Sequence, residues 1–171
     1  MAYRNKVYVC FDGDKDITHY RLLKAWYTNP GINFDFFDAH NLIQARDTST
    51  TETIKRSLQT RLLNTREFMV LIGESTKYLY KFVRWEIEVA QDMQLPIIAV
   101  NLNGKKRMDP QLCPALIRDN LAIHVPFKSE SISYALKNWP SSAAKLRAER
   151  KKGAFYYTDD VYQKLGVRQM R

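Results

Sequence analysis

The chain is expected to form an α/β fold, a parallel sheet with helices on both faces. Three observations lead there. Five short apolar runs recur along its 171 residues. Stretches with helical spacing separate them, and strand–helix alternation means parallel strands joined by crossovers. Most of the runs are continuous rather than alternating, as strands covered on both faces are.

The first strand is expected at 7–11. A helix over 18–28 follows, carrying Tyr20, Leu22, Leu23, Trp26 and Tyr27 and stopping before Asn29-Pro30-Gly31. The second strand is 34–37. Ser49-Thr50-Thr51-Glu52 has the form of a capping box and opens a helix reaching about residue 64. The third strand, 68–72, leads to a helix beginning near Ser75, a candidate N-cap, and ending near Gln94 before Pro96. A fourth strand at 97–102, a Lys/Pro-containing connection over 103–120 and a fifth strand at 121–125 come next. A weaker helix follows Ser129, and another covers part of the tail. The order is β-α-β-α-β-α-β-loop-β-α. Length supports one domain, drawn at 1–140, with 141–171 as a basic, helical extension packed on the domain or trailing from it. Ligand sites of such sheets lie at the carboxyl ends of the strands. Here that edge is built from 11–16, 38–48, 73–76 and 101–103.

Composition narrows the class. Hydrophobic residues make up 45% and charged residues 26%, the balance of a soluble globular protein. No run approaches the ~18 apolar residues of a membrane helix, and the N-terminus has no secretory apolar region. Cys10 and Cys113 imply no disulfide framework and fit a reducing cytoplasm. The net charge is +9, but residues 140–171 carry eight Lys/Arg against three acids. No basic helix is interleaved with exposed aromatics, so nucleic acid is not the expected partner. The tail reads as a solvated segment, or one that docks an acidic surface.

Known chemistries at the edge mostly fail. Phe11-Asp12-Gly13-Asp14-Lys15-Asp16 has one glycine and three acids, so it is neither a dinucleotide fingerprint nor a P-loop. A calcium loop needs a glycine after Asp16 and an acid where Leu23 stands. A receiver-type aspartate is missing where the third strand ends Ile72-Gly73-Glu74. His19, His40 and His124 lack metal-ligand spacing, and no nucleophile elbow is present. One carboxylate remains. On a helix the neighbours of Glu86 at three and four positions are Phe82, Val83, Val89 and Ala90, all apolar. Glu88 faces Arg84, Trp85, Gln91 and Asp92 and belongs to water. A carboxylate on an apolar stripe costs free energy unless it is paired or used. Two readings stay open: a structural pair, with Arg46 or the poorly placed Arg84, and a reactive group.

Val7-Tyr8-Val9-Cys10-Phe11 resembles the first strand of Toll/interleukin-receptor (TIR) domains, and Phe82-Val83-Arg84-Trp85-Glu86-Ile87 resembles their third-helix motif. The likeness extends to the TIR-like proteins of Thoeris anti-phage systems, the ThsB group. It runs through Trp26, Phe37-Asp38-Ala39 and Val70-Leu71-Ile72-Gly73 and spans roughly residues 6–125. The resemblance implies a flavodoxin-like three-layer sandwich with a five-stranded parallel sheet. It implies NAD cleavage or cyclisation to an ADP-ribose-type signal that reaches a separate effector. NAD is then the substrate, with no further cofactor and no metal. Glu86 matches the catalytic glutamate. Phe11, Asp12, Ser75 and Phe82 fall where relatives line the cleft, and Asp38 opens the loop that shapes the pocket and mediates self-association. Asp12, Asp14 and Asp16 would repel a diphosphate unless turned away or bound to ribose hydroxyls. A non-catalytic adaptor acting by assembly, and an N-glycosidic transferase acting on nucleosides, are the competing classes.

Overall fold

The computed structural model describes residues 5–28, 34–38, 50–79 and 81–167. Its strands are β1 (Asn5–Cys10), β2 (Phe34–Asp38), β3 (Glu67–Ile72), β4 (Ile97–Asn101), β5 (Ala122–Pro126) and β6 (Ala154–Tyr156). Its helices are α1 (Ile17–Trp26), α2 (Thr51–Leu63), α3 (Val83–Asp92), α4 (Ala115–Arg118), α5 (Ser129–Ala148) and α6 (Asp159–Lys164). The strands pair in parallel in the order β2-β1-β3-β4-β5-β6. The first five follow the flavodoxin-like order, whose ligand crevice lies where direction reverses, between β1 and β3.

Two buried layers flank the sheet. Val7, Val9, Met69, Leu71, Ile98 and Val100 pack with Tyr20 and Leu23 of α1 and with Ile132, Leu136 and Trp139 of α5. Tyr8, Cys10, Phe68, Val70 and Ile72 pack with Leu58 of α2, Val83 and Ile87 of α3 and Ile117 of α4. Successive strand residues therefore divide between the layers, as the period of two requires. The β3, β4 and β5 strands are buried along their whole length, which is why their sequences are mostly apolar, with Glu67, Asn101 and His124 as buried polar exceptions.

Three details differ from the sequence expectation. The expected helix from 75 to 94 is broken. Thr76–Tyr78 form a single 3-10 turn, and α3 begins only at Val83. The Thr76 hydroxyl accepts from Gly73 N at 2.9 Å and donates to Leu71 O at 3.3 Å, tying the turn back to β3. Such side-chain bonds compete with helix formation. The cap of α2 is Thr50, whose Oγ1 accepts from Thr53 N at 3.2 Å, one residue beyond the expected Ser49, which lies outside the described residues. Finally, the boundary drawn at 140 runs through α5, with Pro140 inside that helix.

The tail is thus part of the domain. Arg150 takes the left-handed conformation (φ 58°) just past α5. Lys151 N donates to Leu146 O at 2.9 Å and Arg150 N to Arg147 O at 3.0 Å. This is a Schellman closure, usually made with glycine. It turns the chain so that β6 covers the edge of β5 as a sixth strand. Tyr162 of α6 is then 1% exposed. Deleting 149–171 is expected to lower stability by about 4 kcal/mol or more, from the loss of Phe155, Tyr157 and Tyr162 burial. Urea unfolding checks this; an unchanged midpoint would make the tail an independent appendage.

The connection over 103–120 is organised by Asp109, 3% exposed. Its carboxylate accepts from Gln111 N at 2.8 Å and Asn103 Nδ2 at 3.0 Å, and pairs with Lys105 Nζ at 2.8 Å. The Lys105 ammonium, with those donors, holds its pKa down at about 2.

Candidate active site

The crevice between β1 and β3 is bounded by the loop 11–16 and by the turn 73–76. Asp12 joins them. Its Oδ1 accepts from Asp14 N at 3.0 Å and Lys15 N at 3.3 Å, and its Oδ2 accepts from the Ser75 hydroxyl at 2.5 Å. The backbone of Asp12 also receives Asp16 N at 2.8 Å. Ser75 is therefore not the helix cap expected of it. Its hydroxyl bonds to the opposite loop instead, and the turn it precedes has no side-chain cap bond. Both Asp12 oxygens being engaged, this buried carboxylate organises the crevice wall. Asp14 is exposed, whereas Asp16 is buried. Asp16 has its pKa raised, first by burial and then by the charge of Asp12. Two of the three acids are therefore buried.

Gly73 packs closely against Asp16. A Cβ at this position would lie 2.4 Å from Asp16 Oδ2 and 2.9 Å from its Cγ. Gly73→Ala is expected to cost about 1–3 kcal/mol by forcing Asp16 outward, read as a lower thermal midpoint. A midpoint equal to wild type would mean that Asp16 moves freely.

Glu86 lies in the first turn of α3 and is 2% exposed. Its backbone N–H donates to Phe82 O at 2.8 Å, which fixes the turn that carries it. The charge of its side chain acts on two residues of β1, Tyr8 and Cys10. Both have pKa values held well up, first by burial and next by the negative charge of Glu86. Arg61 of α2 acts on Tyr8 in the opposite sense. Because Cys10 is the last residue of β1, the carboxylate sits at the carboxyl edge of the sheet, beside the strand reversal. Arg84 pairs with Glu88 at 3.1 Å, on the solvent side of α3. Arg46 and His40 lie outside the described residues.

The remaining expected site residues are divided. Phe82 caps α3 and is buried in the layer of Glu86, with Lys81 Nζ 5.5 Å from its ring centroid. Phe11 belongs to the other layer and stacks on Tyr20, with centroids 4.6 Å apart and planes 18° off parallel. The sheet separates Phe11 from Glu86. Asp38 closes β2 in register with Val9; its side chain, and the loop after it, lie outside the described residues. Sequence reasoning missed Tyr8, the residue of β1 on which the charge of Glu86 acts. The available signal was the strand period, which places Tyr8 and Cys10 together on the face opposite Val7, Val9 and Phe11. Among the described residues no cluster of three metal-ligating side chains occurs, and no helix is long and apolar enough to cross a membrane.

Comparison with known proteins adds a family. The one described as "Thoeris protein ThsB, TIR-like domain" matches residues 8–107. No curated protein matches the chain. Among solved structures, the chain is similar to a 3-dehydroquinate dehydratase-like protein from Bifidobacterium longum. The two share 15% identity over 83% of this chain and 97% of that one, with a TM-score of 0.38.

Proposed function

Since the chain belongs to the Thoeris ThsB TIR-like family, whose setting is anti-phage defence, we propose that it consumes NAD through Glu86. One observation carries the reading. A carboxylate 2% exposed stands at the carboxyl edge of the sheet, beside the strand reversal where such folds take their ligands.

In the reaction, the bond between the ribose anomeric carbon and the nicotinamide nitrogen breaks. The bonding electron pair leaves with nicotinamide and neutralises its ring charge, so no strong acid is needed. Positive charge develops on the ribose, as in glycoside hydrolysis. Glu86 supplies the compensating negative charge in a poorly solvated setting and accepts hydrogen bonds from the ribose diol. Tyr8, kept protonated by burial and by that charge, adds no competing negative charge. Attack by water gives ADP-ribose; attack by a hydroxyl or ring nitrogen of the same nucleotide gives a cyclic isomer. Access to so buried a group requires its cover to move, the usual role of a closing loop. Self-association on activation and a diffusible nucleotide acting on a separate effector complete the proposal. The site acts in a soluble protein of the cytoplasm.

The test offers NAD and, separately, free nucleosides to the purified protein, alone and with lysate from phage-infected cells. Nicotinamide release from NAD, with nucleosides left intact, is expected. Base release from nucleosides alone would replace the proposal with an N-glycosidic transferase.

A further inference from the structure

A second concavity lies on the far flank of α3. It encloses about 520 Å³ between the 3-10 turn, α3 and α4, within the size range of small-molecule sites. Its walls are apolar, formed by Leu79, Val83, Ile87 and Leu116. Three cations, Lys77, Arg84 and Arg118, stand around it, and Asp119 is the acid among its lining residues. Glu86 does not line it. On α3, Val83 and Ile87 point into the groove, whereas Glu86 is rotated by about a quarter turn toward β1.

The groove is built rather than accidental. Arg118 is held by its own loop, donating to Pro110 O at 3.0 Å and Cys113 O at 3.3 Å. Lys77 Nζ donates to Gln111 O and stands 5.0 Å from the centroid of the Tyr78 ring. Gln91 Nε2 donates to Leu116 O at 2.7 Å, fixing α4 against α3 beside the groove. Lys77 and Arg118 are thus positioned by neutral carbonyl partners. Arg84, paired with Glu88, contributes least.

From this geometry we infer a separate binding site for a small amphipathic anion, one with an apolar or aromatic body and a single carboxylate, sulfonate or phosphate group. The body fills the Leu79–Val83–Leu116 trough and the anionic group meets Lys77 and Arg118. The apolar walls supply affinity by burial, while charge-assisted bonds to the two cations fix orientation. The site does not depend on what Glu86 does.

The probe is 1-anilinonaphthalene-8-sulfonate, an aromatic body bearing one sulfonate, titrated into the full chain and followed by fluorescence. Saturable binding at one site is expected. Ala115→Trp places a bulky ring at an exposed lining position and should weaken binding by about tenfold or more, with the thermal midpoint unchanged. Lys77→Glu reverses the charge at the rim and should weaken it similarly. Glu86→Gln and excess NAD should leave it as in wild type. Binding unaffected by both lining variants, or displaced by NAD, would overturn the inference, as would no binding at all. If Ala115→Trp loses its fold, Lys77→Glu alone decides.

Discussion

Glu86→Gln is expected to reduce nicotinamide release by at least about 100-fold, the scale seen when one preorganised electrostatic group is removed from an active site. Its thermal midpoint should stay within about 1 kcal/mol of wild type in stability, or rise. The amide is nearly isosteric and no longer places a charge at a position only 2% exposed. Glu86→Ala should differ in kind. It leaves a void at a buried position, at a cost of about 1–3 kcal/mol. The split between the two variants separates a reactive carboxylate from a structural one. A structural Glu86 would make the Gln variant unstable as well, and would leave any NAD cleavage intact.

Glu67→Gln is expected to stabilise the protein strongly at alkaline pH. Glu67 opens β3, is 3% exposed, and neither carboxyl oxygen has a hydrogen-bond partner among the described residues. Burial raises its pKa from 4.5 to about 8. Below pH 4.5 both folded and unfolded states hold the proton, and burial of the neutral acid carries no ionisation penalty. As pH rises from 4.5 to 8 the unfolded chain releases the proton while the folded one keeps it, so stability falls. Above pH 8 the loss levels off at about 5 kcal/mol. The Gln variant escapes that loss. Urea midpoints of the two proteins should nearly coincide at pH 4 and separate by several kcal/mol at pH 9. His124 works in the opposite sense: burial lowers its pKa to about 4, so it destabilises the fold as pH falls from 6.5 toward 4. It is common to both proteins and cancels in their difference. Equal midpoints at pH 9 would show that Glu67 is paired by a residue outside those described.

Much of this architecture could be read in advance, and the reasons are physical. Buried parallel strands must be apolar on both faces, so 68–72 and 97–102 announced themselves as runs. The placement of Glu86 was legible because helix spacing surrounds it with Phe82, Val83, Val89 and Ala90. What escaped was non-local or too short to carry a period. The Asp12–Ser75 bond joins residues 63 apart, and no local pattern encodes such a contact. Likewise β6 is three half-exposed residues inside a basic tail, too few to show alternation. The break before α3 comes from the Thr76 hydroxyl turning back to Gly73 and Leu71, a competition that propensity alone does not resolve. The resemblance grouped Phe11 with Glu86, yet strand parity sends Phe11 to the layer opposite that of Phe82.

The most direct measurement follows NAD side by side in wild-type and Glu86→Gln protein, both in lysate from phage-infected cells, with products identified by mass spectrometry. Wild type should release nicotinamide and form an ADP-ribose-type nucleotide, while the folded Gln variant leaves NAD intact. Intact NAD with both proteins, or equal turnover by the two, would contradict Glu86 as the catalyst and leave assembly as the function of this fold.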